Sequence, residues 1–343
     1  MKQHLNTLFI TTQGTYLARQ GECVLVRLKK ETRLRVPIHT LGSIVCFGRV
    51  GCSPSLMELC GRQRVPISFL TERGRFIARI EGPVAGNVLL RRQQYRRADS
   101  PESSAAIASA IVTAKIANSR TVLQRALRDR PDTAEAPQME QTVRNLRVSL
   151  NTLTKPLPLD QVRGIEGDAA RAYFQVLNHL ITAQKEEFFY FERSRRPPLD
   201  NMNALLSFLY TLLAHDVASA VQAVGFDPAV GFLHRDRPGR PGLSLDIMEE
   251  FRAFIADRLA LSLINLRQVQ GSGFRTTESG AVAMDDATRK EVIIAYQKRK
   301  QEEMNHPFLN EKLTVGLFPY IQALLLARHI RGDLDAYPPF IWK

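Results

Sequence analysis

Ser100-Pro101-Glu102-Ser103-Ser104-Ala105-Ala106-Ile107-Ala108-Ser109-Ala110-Ile111 is where the chain changes character. A capping serine, a first-turn proline and an acid come first, and Ile107, Ile111, Ala114, Ile116 and Val122 then recur close to helical spacing. That order predicts the start of a long helix. Upstream, the segments Leu8 to Thr11, Cys23 to Leu28, Ser43 to Phe47, Pro66 to Leu70 and Phe76 to Ile80 are short and rich in β-branched or aromatic residues. Gly, Pro or charged turns separate them, so they read as strands. One helix interrupts them, opened by Ser53-Pro54 and carried by Leu56, Leu59 and Cys60 to Gly61. Downstream, helices are predicted over Met139 to Leu153, Gly167 to Ala183, Asn203 to Val224, Leu245 to Val269, Asp285 to Glu303 and Leu313 to Arg331. Polar breaks fall at Pro131 to Pro137 and Lys155 to Asp160, and a hairpin is expected around Ser279-Gly280 within Phe274 to Met284. The fold class is therefore α+β. A small β-sandwich-like domain covers residues 1–85, a linker 86–100, and a larger all-α domain 101–343 carries the chemistry.

A length of 343 residues exceeds what one compact core usually fills, which agrees with two domains. Apolar residues at 44% and charged residues at 24% argue against disorder over most of the chain. The charge is the unusual quantity. Of the net +13, residues 1–100 contribute +11, from 17 Lys and Arg against six Asp and Glu. Arg62, Arg64, Arg73, Arg75, Arg79, Arg91, Arg92, Arg96 and Arg97 dominate that count, and a planar guanidinium suits phosphate oxygens. The anionic partner could be nucleic acid, an acidic membrane surface or an acidic protein, and a merely solvated basic face is the bland alternative.

Cys23, Cys46, Cys52 and Cys60 match neither a CxxC pair nor a zinc finger, and read as reduced core residues. No signal peptide is apparent. The most apolar stretches, Ala204 to Val224 and Leu317 to Ile330, are interrupted by His215-Asp216 and by Gln322 and Arg328, so neither is expected to span a bilayer. A soluble cytoplasmic protein is the expectation.

Three places could carry chemistry. His234, in Gly231-Phe232-Leu233-His234-Arg235, stands at the edge of a loop, where an imidazole can meet a ligand or simply be structural. Asp246 and Glu249 are three apart at the start of a predicted helix, which puts both carboxylates on one face with Cβ atoms within about 5–6 Å. First-turn acids favoured by the macrodipole explain the pair; so does a divalent cation that offsets their repulsion with help from other ligands. Glu166, in Gly164-Ile165-Glu166-Gly167-Asp168, is a candidate for such help, or is itself a first-turn acid. Hard oxygens with one imidazole suit Mn²⁺ or Mg²⁺, and an ion of that kind would activate a water or a 3′-hydroxyl against a phosphodiester. His215-Asp216 reads as a proton relay or a partly exposed helix pair, Tyr190 and Tyr210 as DNA-stacking or core residues, and Trp342 has no assignable role.

These segments resemble those of a known family, the CRISPR adaptation integrase of spacer acquisition. The resemblance covers most of the chain. It includes Val36-Pro37-Ile38-His39-Thr40-Leu41, Ile44-Val45-Cys46-Phe47-Gly48, Val65-Pro66-Ile67-Ser68-Phe69-Leu70, Arg73-Gly74-Arg75-Phe76 and Lys115-Ile116-Ala117-Asn118. Gly164-Ile165-Glu166-Gly167, Gly231-Phe232-Leu233-His234 and Leu243-Ser244-Leu245-Asp246-Ile247-Met248-Glu249 are similar to the three segments that bring metal ligands together in that family. The tail from His306-Pro307-Phe308 to Trp342 looks like the type I-C branch. By resemblance Glu166, His234 and Glu249 bind Mn²⁺ or Mg²⁺, with Asp246 beside them as an alternative or supporting acid. Ser119 departs from the family, where many relatives carry glutamine.

The resemblance implies an endonuclease and integrase that joins 3′ ends of short double-stranded foreign DNA, the prespacer, to a CRISPR repeat by transesterification. It also implies a homodimer formed through the β domain, a heterohexamer with a small second adaptation protein, and in type I-C systems a RecB-like exonuclease. Two other readings compete: a basic DNA-binding scaffold without catalysis, and a structure-specific nuclease with no part in integration.

Overall fold

A computed structural model describes residues 6–72, 76–83, 88–194, 197–235 and 237–342. Arg73, Gly74 and Arg75 of the basic region, and Asp236 of the loop after His234, lie outside the described residues. The chain divides into two compact units, Met1–Gly86 and Asn87–Lys343.

In the first unit the strands are β1 Asn6–Ile10, β2 Thr15–Gln20, β3 Cys23–Leu28, β4 Glu31–Pro37, β5 Leu41–Phe47, β6 Gly51–Cys52, β7 Ile67–Leu70 and β8 Phe76–Ile80, with helix α1 Pro54–Gln63. They form two four-stranded sheets, ordered β1-β5-β7-β8 and β4-β3-β2-β6. β1, β5 and β7 run parallel, whereas β8 and the β2-β3-β4 meander pair antiparallel. The apolar faces close on one core that includes Leu17, Val24, Ile44, Leu56, Leu59 and Ile67. The α1 start is as the sequence predicts: Ser53 accepts a hydrogen bond from the Leu56 amide and Pro54 occupies the first turn. β2 and β4 are not among the predicted strands. Nearly all of β4 is exposed, so its residues carry little apolar alternation to read. Cys46 and Cys60 are buried, Cys23 and Cys52 half-buried, and all four are free thiols.

The second unit contains α2 Val88–Asp99, α3 Pro101–Asp129, α4 Ala136–Thr152, α5 Leu159–Gln175, α6 Asn201–Val224, α7 Gly242–Glu249 and α8 Arg258–Asn265. Hairpin β9 Phe274–Thr276 and β10 Val282–Met284 follows, then α9 Asp286–Gln301, a second hairpin β11 Glu303–Asn305 and β12 Lys312–Thr314, and α10 Phe318–Arg331. The α+β class is borne out, but the second unit is largely helical and not all-α, since two short hairpins pair between its helices. Residues 88–99, read as linker from the sequence, are the helix α2, whose Gln94 is buried and bonded to the Asp227 and Val230 carbonyls. At the deciding stretch, Ser100 caps α3 by accepting from the Ser103 amide. The continuous helix predicted over Leu245 to Val269 is instead α7, a wider π-helical turn over Arg252–Asp257, and α8. α6 is long and apolar enough to cross a bilayer by length and composition, yet most of its apolar window is packed inside the unit.

Candidate active site

The sequence places Glu166 at the opening of a helix, where the macrodipole alone would explain an acid. α5 instead begins at Leu159 behind Pro158, so Glu166 sits about two turns in, beyond the reach of the helix N-terminus. Its carboxylate is bound to the ammonium of Lys115 on α3. Lys115 Nζ also lies 2.7 Å from Oε2 of Glu249, an ion pair off the line of a hydrogen bond. Glu249 is the last residue of α7, at the negative end of the helix dipole, and only 3% of it is exposed. Both circumstances disfavour a carboxylate. Two cations offset them: Lys115, and Arg252 with Nη2 3.2 Å from Oε1. Burial pushes the Glu249 carboxyl up, but Arg252, Lys115 and the nearby His234 outweigh it and hold the group at about 2. Glu249 is therefore an anion at neutral pH.

The three-residue spacing predicts that Asp246 and Glu249 face a shared partner. The structure separates them. Asp246 is wholly buried and both its oxygens are engaged by the loop after α6. Oδ2 accepts from the Phe232 amide at 2.6 Å and the Leu233 amide at 3.0 Å; Oδ1 accepts from the His234 amide at 2.9 Å and contacts His234 Nδ1 at 2.7 Å. A carboxylate with every lone pair committed is a poor metal ligand. A carboxylate against Nδ1 favours the imidazole tautomer with its proton there, which leaves Nε2 with a lone pair.

Further contacts hold the same loop. Ser104 on α3 donates to the Phe232 carbonyl at 3.1 Å. Arg163, one turn before Glu166 on α5, donates to the Leu233 carbonyl through Nε at 2.9 Å and Nη2 at 2.6 Å. The helix that carries Glu166 thus also fixes the loop that carries His234. Gly231 and Gly242 let the loop lie against the start of α7: a Cβ on Gly231 would stand 2.7 Å from the Gly242 carbonyl carbon and 2.8 Å from Asp246 Oδ2. Only glycine leaves the carboxylate in place.

Glu166 and Glu249 are thus joined on one ammonium, while His234 is held by Asp246 and senses Glu249 electrostatically. Among the described residues, no three His, Cys, Asp or Glu side chains stand close enough to hold an ion between them as they are. Lys115 balances the two carboxylates in their stead. Two anionic oxygen donors gathered at one cation, with an imidazole nitrogen nearby, nevertheless fit a hard divalent ion.

Other readings resolve less ambiguously. His215 and Asp216 are both half-buried, and Asp216 accepts from Tyr296 at 2.8 Å and pairs with Lys300 at 2.7 Å. Tyr210 is a core residue that donates to Asp257 at 2.6 Å, and Tyr190 is buried and stacked on Phe174. Trp342 is buried between the guanidinium groups of Arg125 and Arg258, 3.9 and 4.3 Å from its ring centre. Ser119 is buried on α3.

The family model for the CRISPR associated protein Cas1 matches residues 8–298. The chain belongs to the Cas1 family. It is an endonuclease and integrase of CRISPR spacer acquisition. The CRISPR-associated endonuclease Cas1 1 of Chlorobaculum tepidum is 53% identical over 343 residues, covering 100% of both chains. A CRISPR-associated exonuclease Cas4/endonuclease Cas1 fusion of Geobacter sulfurreducens is 33% identical, over 98% of this chain and 60% of the fusion. Among solved structures, the Cas1 protein TM1797 of Thermotoga maritima superposes with a TM-score of 0.80 at 22% identity, covering 97% of this chain and 99% of that one. A Cas6-RT-Cas1–Cas2 complex gives a TM-score of 0.84 at 22% identity, covering 100% of this chain and 36% of that one. Both structures share the Cas1 fold.

Sequence reasoning assigned no role to Lys115, Arg163 or Arg252. Lys115 did carry a signal, as the cationic interruption of an otherwise apolar helix face between Ile111 and Asn118. The carbonyl grip of Arg163 leaves no trace in any motif.

Proposed function

We propose that Glu166, His234 and Glu249 hold a divalent cation, Mn²⁺ or Mg²⁺, and that this centre joins the 3′ ends of a double-stranded prespacer to a CRISPR repeat. The observation that carries the reading is the pairing of Glu166 and Glu249, remote in sequence, on a single cationic group. When bound, such an ion polarises a phosphodiester and lowers the pKa of an attacking hydroxyl. The chain's own residues do the rest. Asp246 fixes the imidazole tautomer, Arg163 sets the loop, and Lys115 keeps two like charges together until a stronger cation takes its share. Sequencing the product of a reaction with a labelled 3′-hydroxyl donor and a repeat-bearing plasmid tests joining against cutting. Products joined at the repeat are expected; cleavage alone would leave a structure-specific nuclease, and neither activity, with binding indifferent to chelator, would leave a scaffold.

Replacing Lys115 by methionine gives a second expected result. Without the ammonium, the two carboxylates repel and Glu249 loses a counter-charge, which costs about 3 kcal/mol or more of metal-free stability, the usual penalty for breaking a buried pair. Mn²⁺ should therefore raise the melting temperature of the variant more than that of the parent. Equal shifts in both would place the ion elsewhere.

The domains and partners follow the same reading. The β domain over residues 1–85 mediates homodimerisation and, with +11 of the charge in residues 1–100, contributes to the DNA path. A small second adaptation protein bridges two dimers in a heterohexamer, a pairing supported by the Cas1–Cas2 complex among the fold neighbours. A RecB-like exonuclease is a further partner, in keeping with the Cas4/Cas1 fusion among the relatives. The resemblance of the tail supports placement in the type I-C branch, and on the same reading the place of action is the cytoplasm, with no membrane involved.

A further inference from the structure

The residue after Glu249 is bound by the far end of the chain. Glu250 is wholly buried, and its carboxylate accepts three hydrogen bonds: from Tyr337 Oη at 2.5 Å on Oε1, and from the Phe340 amide at 2.7 Å and Gln322 Nε2 at 2.9 Å on Oε2. Its carbonyl accepts from Asn118 Nδ2 at 2.7 Å. The same amide nitrogen donates to the Phe340 carbonyl at 2.9 Å, and Asn118 Oδ1 accepts from the Trp342 amide at 2.8 Å. Asn118 stands one turn beyond Lys115 on α3, so one helix grips Glu249 by its side chain and Glu250 by its backbone. The Phe340 ring packs on Phe251 at 5.1 Å and Phe254 at 5.0 Å, at the start of the π-helical turn. π-helical turns are rare, occur mostly as single-turn insertions in α-helices and are frequent at functional sites.

We infer that the C-terminal segment Tyr337–Trp342 is a brace that sets the position of Glu249, with Tyr337, Glu250 and Asn118 as positioning residues for the reaction. The inference rests on Glu249 as a metal ligand in the sense proposed above. Past Glu249 the α-helical ladder gives way to an irregular turn, so on that side the backbone is not fixed by regular helical bonds. The tail supplies that constraint from outside the helix. Loss of partners one layer removed from a metal lowers affinity or activity about 10- to 100-fold.

The test compares Tyr337→Phe, which removes one donor without emptying the core, with a chain ending at Ala336, alone and with a peptide of residues 337–343 added. Mn²⁺ binding is read by electron paramagnetic resonance, strand transfer as kcat and KM for DNA, and the folded fraction by thermal melting. Tyr337→Phe is expected to weaken Mn²⁺ binding and lower kcat about 10-fold, with KM for DNA and the folded fraction unchanged. The peptide should restore part of the larger loss in the shortened chain. Native Mn²⁺ affinity and kcat in Tyr337→Phe, or losses that follow only the unfolded fraction, would overturn the brace; if the shortened chain does not fold, Tyr337→Phe alone decides. Glu249→Gln is run beside them. Should it be inert while Tyr337→Phe is native, the brace alone fails; should it keep Mn²⁺ binding and activity, the site reading fails and the brace with it.

Discussion

Glu249→Gln is expected to abolish DNA joining and cleavage while leaving the protein folded. The substitution keeps the shape of the side chain and removes its charge, so Lys115 and Arg252 each lose an anionic partner but no cavity opens. The carboxylate is held ionised by those two cations against burial, at about 2, so its charge persists in a nearly dry position. Replacing a whole buried ion cluster by apolar residues of similar volume is often neutral for stability, so packing alone does not call for the arrangement. On the proposed reading, the charge serves a bound cation. Since partners one layer removed from a metal are worth about 10- to 100-fold, loss of a direct ligand should lower the strand-transfer rate by on the order of 10³-fold or more. Mn²⁺ titration and single-turnover kinetics on a repeat-bearing plasmid measure both halves. A variant with near-native rates would remove Glu249 from the site, and Glu166→Ala and His234→Ala then ask the same question of the other two residues.

Asp246→Asn tests a different link, the one between packing and protonation state. The amide nitrogen of asparagine must take the place of one oxygen. At Oδ2 it would confront two backbone N–H donors, those of Phe232 and Leu233; at Oδ1 it would confront the His234 amide and present a donor to Nδ1. The first choice leaves buried donors unsatisfied, at a cost of about 1–3 kcal/mol. The second turns Nδ1 into an acceptor, moves the imidazole proton to Nε2 and removes the lone pair a metal needs. Either way kcat should fall about 10- to 100-fold, with little change in affinity for DNA. ¹⁵N spectra of the imidazole report the tautomer directly. Full activity together with an unchanged tautomer would show that the loop, and not the carboxylate, orients His234.

Much of the fold could be read before any coordinates. The Ser53-Pro54 and Ser100-Pro101 starts succeeded because capping is local chemistry, and the side-chain bonds are those the sequence implies. α5 begins at Leu159, eight residues before the Gly167 start that the sequence predicts, and so takes in Gly164 and Gly167. They lie inside the helix, where a Cβ on either would meet open space. The strand β4 escaped because an exposed strand has no apolar face. At the site, residue types and order pointed to Glu166, His234, Asp246 and Glu249, yet the division of labour among them did not follow. Spacing alone put Asp246 and Glu249 together; only the long-range bonds to Phe232, Leu233 and His234 show that the first acid shapes a loop while the second stays with the cations. Such bonds join residues more than ten positions apart, beyond what local periodicity can convey.

The irregular turn at Arg252–Asp257 also governs rotational phase. Each residue of a regular helix advances the direction of the side chains by roughly 100°, so a surplus residue in one loop of the spiral changes the aspect that every later residue presents. Across this turn Arg252 looks back to Glu249, while Asp257 looks to Tyr210 on α6. The widened coil therefore works as a gear offset between two faces of a single rod, and it allows one stretch of chain to serve the chemistry at one end and the interior at the other.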